Sequence, residues 1–177
     1  MKVFFSLMVA LALFSACWPT SVSFKDKGSM DPRWKNFMVK TLDNNAANAP
    51  LSYGPTLSEA LKDGVQNNTR LKLVSNPDSA QINIEGAITN YMVTPIALQA
   101  GDVAAKNRLT ISTNYTIYIN VPRLPNEPLT ENQMTVSSTR FADYDSNADF
   151  SVVESQLIEE INKQIVQDVI NKLLSNW

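Results

Sequence analysis

The sequence contains no histidine and a single cysteine in 177 residues. Without histidine there is no Ser-His-Asp or Cys-His catalysis, no His-ligated zinc or haem, and no side chain whose ordinary pKa lies near neutrality. The lone Cys17 can neither close an internal disulfide nor build a thiolate zinc site. Glycine is scarce, and Gly28, Gly54, Gly64, Gly86 and Gly101 are too dispersed to form a phosphate-cradling loop. With 17 acidic against 15 basic residues the net charge is −2, which gives no electrostatic grip on nucleic acid. No apolar run reaches the roughly 18 residues needed to cross a bilayer. What is there, 44% hydrophobic and 18% charged residues, suits one globular domain with a real core.

The first residues stand apart from that core. Lys2 supplies a positive charge, and Val3 to Phe14 is an apolar run of about 12 residues, the length of a signal-peptide h-region. Ser15-Ala16-Cys17 follows, placing small residues before the only cysteine. This resembles a bacterial lipobox, with Phe14 where such motifs usually carry leucine. Residues 1–16 are then a signal peptide, and Cys17 is the lipid attachment site and new N-terminus; the alternatives are an ordinary signal peptide cut at Ala16 or a stray buried cysteine. Acyl chains contribute about 0.8 kcal/mol per buried methylene, enough together to anchor a soluble domain. Cleavage leaves 14 basic against 17 acidic residues. No aspartate follows Cys17 directly and no acidic cluster lies nearby, which by resemblance to known sorting rules favours the periplasmic face of the outer membrane.

Residues 17–33 are polar, carry Pro19, Gly28 and Pro32, and read as a tether with one extended piece around Val22 to Phe24. Trp34 to Lys40 reads as a first strand, and Asp43 to Pro55 as a turn-rich connection. Thr56 and Glu59 match a capping box, with Leu57, Ala60, Leu61 and Val65 on one face of a helix over about 57–67. Leu71 to Val74 is a short strand. Ile82, Ile84 and Ile88 alternate with Asn83, Glu85 and Thr89, and Leu109 to Ile119 alternates likewise. Gln133 to Phe141 resumes as a third long strand. Three alternating strands in succession predict an antiparallel meander with one apolar and one hydroxyl- and amide-rich face. In the last 27 residues Val153, Leu157, Ile161, Ile165, Val169, Leu173 and Trp177 recur every fourth position, which winds an apolar stripe slowly around a long helix. Ile158, Val166, Ile170 and Leu174 widen it, so its second half needs the other helix or a partner to cover it. The expected architecture is a single α+β domain over 34–177, a two-layer sandwich with two helices on one face of a mostly antiparallel four- to five-stranded sheet.

Three constellations invite chemistry. Asp143, Asp145, Asn147, Asp149, Ser151 and Glu154 have the spacing of a calcium loop, but Ala148 replaces its turn glycine; the competing reading is a polar turn into a helix capped by Ser151, with Glu154 reaching back. Lys106 and Arg108 near the start of a strand, with Arg140 on its antiparallel neighbour, form a candidate phosphate-binding cluster, against the simpler reading of scattered solubilising cations. Asp78-Ser79-Ala80 resembles a Bacteroidota O-glycosylation triplet at Ser79. Glu159-Glu160 lies on a solvated helix face. No catalytic residue, metal site or cofactor is expected.

The local sequence and element order together resemble the lipopolysaccharide-assembly outer-membrane lipoprotein family (LptE-like), in its Bacteroidota branch. The residues that carry the resemblance are Leu57 to Asp63, Thr69-Arg70-Leu71, Glu85 to Pro95, Asn107 to Ile111, Arg140 to Asp145, Leu157 to Ile161 and Asn176-Trp177. The resemblance implies a non-enzymatic lipoprotein that sits in or under a large LptD-like outer-membrane β-barrel, assists its assembly and contacts lipopolysaccharide. Its anchor would be lipidated Cys17 and its position the periplasmic face or the barrel lumen; Lys106, Arg108 and Arg140 are the candidate phosphate contacts from charge and position, not carried over from the family. The alternative is a periplasm-facing binding module that acts independently of a barrel.

Overall fold

The computed structural model describes residues 30–96, 106–122, 124–125 and 132–175. The signal peptide, Cys17, the Val22 to Phe24 piece, the tether up to residue 29, and Asn176 and Trp177 lie outside these. The elements run β1 (Asn36–Val39), β2 (Asp43–Asn44), α1 (Tyr53–Asn68), β3 (Lys72–Leu73), a 3-10 turn (Pro77–Ser79), β4 (Ile82–Ile96), β5 (Lys106–Ile119), β6 (Gln133–Asp145) and α2 (Phe150–Leu174).

The sheet order is β3-β1-β4-β5-β6, with β2 also pairing β4. The expected meander is present: β4, β5 and β6 pair antiparallel over nearly their full lengths. The sheet as a whole is mixed, because β1 and β2 lie parallel to β4, and β3 parallel to β1. A parallel neighbour needs a crossover connection, and α1 supplies the one between β1 and β3. The stretch expected to be only turns thus contains β2, whose Asn44 amide donates to the Pro50 carbonyl at 3.1 Å.

Both helices cover one face. α1 lies over β1 and β2, and α2 over β5 and β6. Phe37, Leu57, Leu61, Val65, Ile82, Ile84, Ile88, Leu109, Ile111, Ile117, Ile161, Ile165 and Val169 are fully buried between the layers. Complete burial of such a side chain contributes about 1.5–3 kcal/mol. The second half of the α2 stripe is covered by the other helix: a Cβ on Gly64 of α1 would stand 2.2 Å from Val166 Cγ1 and 3.7 Å from Ile170 Cδ1. The missing side chain lets the helices touch there.

Both helix starts differ from the sequence expectation. α1 begins at Tyr53, with Ser52 as N-cap and no side-chain cap. Thr56 instead donates its hydroxyl back to the Ser52 carbonyl at 2.9 Å, and Glu59 pairs with Lys62 at 2.7 Å. Pro55 is tolerated in this first turn because a backbone N–H there has no intrahelical acceptor. In α2 the cap is Asp149, which accepts from the Ser151 amide at 3.0 Å, so Ser151 is already inside the helix.

Polar bonds stitch the layers together. The Tyr53 hydroxyl donates to Asn162 Oδ1 at 2.7 Å, inside the sandwich. Ser58 donates to the Gly54 carbonyl and accepts from the Leu42 amide, tying α1 to the loop after β1. Between Ile88 and Asn90 the β4–β5 register shifts, leaving Thr89 as the extra residue of a bulge. The bulge turns Tyr91 to the helix side, where its hydroxyl donates to Glu154 Oε1 at 2.5 Å and its ring meets Tyr53 edge-on at 5.8 Å. Burial first, then the Glu154 hydrogen bond and charge, push the Tyr91 phenol well above its ordinary pKa. On the β6 side, Arg140 and Ser138 both donate to the Asp168 carboxylate. Burial alone would raise the Asp168 pKa; hydrogen bonds from Arg140 and Ser138 and the Arg140 charge outweigh it and hold it below the ordinary 3.8.

Gly64→Val should destabilise the domain by about 1–3 kcal/mol through overpacking, and adding Val166→Ala should recover part of the loss, read from urea midpoints of the single and double variants. Because the folded-state pKa of Asp168 is depressed, its contribution is complete above the unfolded value and is lost as pH falls through the lower folded value. Stability should therefore drop below about pH 4, and Arg140→Gln should flatten that dependence, as urea melts across the acid range would register.

Candidate functional site

The fold leaves the helix-free face of the sheet open. Strand alternation puts Asn83, Glu85, Asn90 and Thr94 of β4, Arg108, Thr110, Ser112, Asn114 and Thr116 of β5, and Thr135, Ser137, Thr139 and Asp143 of β6 on it. This is the hydroxyl- and amide-rich face anticipated from the sequence. Hydroxyls also meet across strands, as Ser112 and Thr139 do at 3.0 Å. At the end where β4 turns into β5 the character changes. Thr110 faces Met92 on one side and Phe141 on the other, and Met92 and Phe141 are 45% and 47% exposed. The guanidinium of Arg108 lies 3.6 Å from the Phe141 ring centroid. It also donates twice to Asp143, from Nε at 2.6 Å and from Nη2 at 2.9 Å. Those bonds, aided by the Arg108 and Lys106 charges, hold the Asp143 carboxyl below its ordinary pKa despite some desolvation.

The three candidate cations are not brought together. Lys106 is opposite Asp145 and Arg108 opposite Asp143, both on the open face. Arg140 is opposite Ile111, whose side chain is buried beneath the helices, so Arg140 projects to the other side of the sheet and clasps Asp168. Alternation within β6 groups Arg140 with Met134 and Ala142 on the helix side, and only the packed structure shows that it meets Asp168 of α2 there. Lys106 is exposed and makes no ion pair within 4.0 Å among the described residues.

The residues with calcium-loop spacing are employed separately. Asp143 binds Arg108, Asp145 accepts from the Asn147 amide, Asp149 caps α2, and Glu154 accepts from Tyr91 on the far side of the sheet. Among the described residues no three His, Cys, Asp or Glu side chains converge as a metal site. Ser79 is exposed on the 3-10 turn, its hydroxyl donating to the Asn76 carbonyl at 2.8 Å.

Phe141 was missed by the sequence reading as a site residue. The signal existed in the alternation: Phe141 shares parity with Thr139 and Asp143, so it had to sit on the polar face. A second feature could not be read from sequence: a groove of about 860 Å³ between the helices, lined by Thr56, Ala60, Ile158 and Lys163 among others and closed at Gly64 and Val166. No helix among the described residues is long and apolar enough to cross a membrane.

No curated protein sequence matches the chain significantly. Among solved structures, protein XCC0632 from Xanthomonas campestris is similar at 11% identity and TM-score 0.53, covering 88% of this chain and 92% of that one. Uncharacterized lipoprotein B from Nitrosomonas europaea is 14% identical with TM-score 0.48, covering 87% of this chain and 92% of that one. A minor lipoprotein from Acinetobacter baumannii is 14% identical with TM-score 0.47, covering 81% and 94%. At such identities the likeness to XCC0632 concerns the fold alone. The lipopolysaccharide-assembly family LptE, in contrast, matches residues 35–173, from the start of β1 almost to the end of α2. The match spans most of the chain and every element of the sandwich, and the protein belongs to the LptE lipopolysaccharide-assembly family.

Proposed function

We propose that the protein is an outer-membrane lipoprotein subunit of the lipopolysaccharide translocon, anchored through Cys17, that acts as plug and assembly partner of an LptD-like β-barrel and contacts lipopolysaccharide during its insertion. The family match over residues 35–173 carries this reading. The open sheet face supports it physically. Away from the hairpin end, the three long strands offer mainly hydroxyls and amides, which suits the polar wall of a water-filled barrel. Its hairpin end adds what an amphiphile with phosphates would meet: exposed Met92 and Phe141 beside Lys106 and Arg108. Among the described residues Lys106 makes no ion pair at that end, and Arg108 can engage phosphate only by sharing with Asp143. Arg140 acts in this scheme by fixing β6 to α2, not by touching the ligand. The chain performs no catalysis: its role is positional.

The interhelical groove favours the second reading, a periplasm-facing binding module that needs no barrel. A pull-down of C-terminally tagged protein from detergent-solubilised outer membrane separates the two. A large β-barrel recovered near one to one is the expected outcome; lipidated protein recovered alone, with other outer-membrane complexes intact, overturns the plug. Lys106→Glu combined with Arg108→Gln should lower lipopolysaccharide affinity about tenfold, the scale of two exposed charge contacts of up to about 1 kcal/mol each, with an unchanged circular dichroism spectrum. Unaltered affinity would remove both residues from the site.

A further inference from the structure

At the opposite end of the sheet from the β4–β5 hairpin, where the tether joins the domain, Pro32, Trp34, Lys35, Asn36, Arg70 and Lys72 line a cleft of about 330 Å³. Three of these six residues are cations and none is acidic. The closeness is imposed by pairing: Asn36 and Lys72 are partners in the parallel β1–β3 ladder, and the Lys72 amide donates to the Lys35 carbonyl at 2.9 Å. Arg70 reaches across from the end of α1 and donates to the carbonyls of Met30 and Asp31 at 2.7 and 2.6 Å, fixing the last turn of the incoming tether. Among the described residues the carboxylate beside it, Asp31, is engaged on both oxygens by Arg33. Lys35 and Lys72 are exposed and make no ion pair within 4.0 Å among the described residues. Two large apolar side chains stand exposed at the same end: Leu73 at 39%, next to Lys72, and Leu124 at 60%, two residues after Pro122, whose carbonyl accepts from Arg33.

From this we infer that the tether end of the domain is a membrane seat, its cleft taking the phosphate of an anionic glycerophospholipid through Lys35 and Lys72 while Leu73 and Leu124 rest at the headgroup level. The inference builds on the proposed anchoring at Cys17. Twelve residues separate Cys17 from Met30, a tether that reaches at most about 45 Å. That length keeps the domain near the bilayer without orienting it. Orientation must come from the surface itself, and the cations sit where the tether arrives. An acyl anchor combined with a basic patch is the pairing that gives stable, directed attachment to a bilayer. Seated this way, the domain points its hairpin end, with Lys106 and Arg108, away from the leaflet that holds the anchor.

The test uses the purified lipidated protein on phosphatidylcholine vesicles with and without phosphatidylglycerol, read by lysine acylation and mass spectrometry. A lysine near an anionic surface contributes about fivefold in partitioning, so labelling of Lys35 and Lys72 relative to Lys163 should fall about fivefold on the anionic vesicles only, and recover in high salt. Equal labelling on both vesicle types overturns the seat and leaves the two lysines as edge-strand protection. Protection by inorganic phosphate on neutral vesicles also overturns it, reassigning the cleft to a small anion. Flotation with neutral vesicles reads the anchor separately: protein that stays unbound there sinks the Cys17 reading, whatever the labelling shows.

Discussion

Covering α2 governs this structure. Its apolar stripe recurs every fourth residue and therefore rotates around the helix, so a single flat partner cannot bury it from end to end. The sheet takes Leu157, Ile161, Ile165 and Val169, and α1 takes Val166 and Ile170 at the Gly64 contact. Leaving Val166 and Ile170 in water would forfeit about 1.5–3 kcal/mol each, a large share of the stability of a domain this size. Both helices are thereby committed to the same face of the sheet. β1 and β2 then run parallel to β4, because α1 must cross over that face on its way to β3.

The commitment of both helices to one side creates the functional surface on the other. β4, β5 and β6 each have one face covered by the helices and one left open. The Thr89 bulge reconciles the two demands within β4: it returns Tyr91 to the buried side after a stretch whose alternation would otherwise carry it outward. Buried Tyr91, Tyr53 and Asn162, with half-buried Glu154, then form a polar strip in which the hydroxyls of Tyr53 and Tyr91 find partners, and such satisfaction makes a polar group tolerable inside a sandwich.

The two ends of the sheet carry different charged groups. Lys35, Arg70 and Lys72 line one cleft at the tether end, while at the hairpin end Lys106 and Arg108 stand opposite Asp145 and Asp143. At the hairpin end Arg108 is held by Asp143 and Phe141 together. A guanidinium stacked on an exposed ring and bonded to a carboxylate is both rigid and presented, and that is how a flat polar sheet gains one chemically distinctive corner.

Much of this was legible in the residues. Period-two alternation announced the three long strands and their polar face, the four-residue recurrence announced α2, and the local motifs from Leu57 to Ile161 pointed to the lipopolysaccharide-assembly family. These features depend on near neighbours in the chain, and hydrophobic periodicity reports them directly. The helix starts were misplaced by a few residues: in α2 Asp149 and Ser151 compete for the same amides and backbone geometry settles which one wins, while α1 starts after Ser52 with no side-chain cap to read. Partners lay beyond reach. Alternation puts Arg108 on the open side of β5 and Arg140 on the helix side of β6, but only tertiary packing could show that Arg108 meets Asp143 and Arg140 meets Asp168. Nor could any local pattern show Lys35 beside Lys72, 37 positions apart, since a parallel ladder joins residues that the chain separates by a whole helix. The sequence by itself determined which elements form and which face of each is apolar, because those properties are local; the tertiary structure alone decided which side chains meet, because contact depends on strand register and helix crossing.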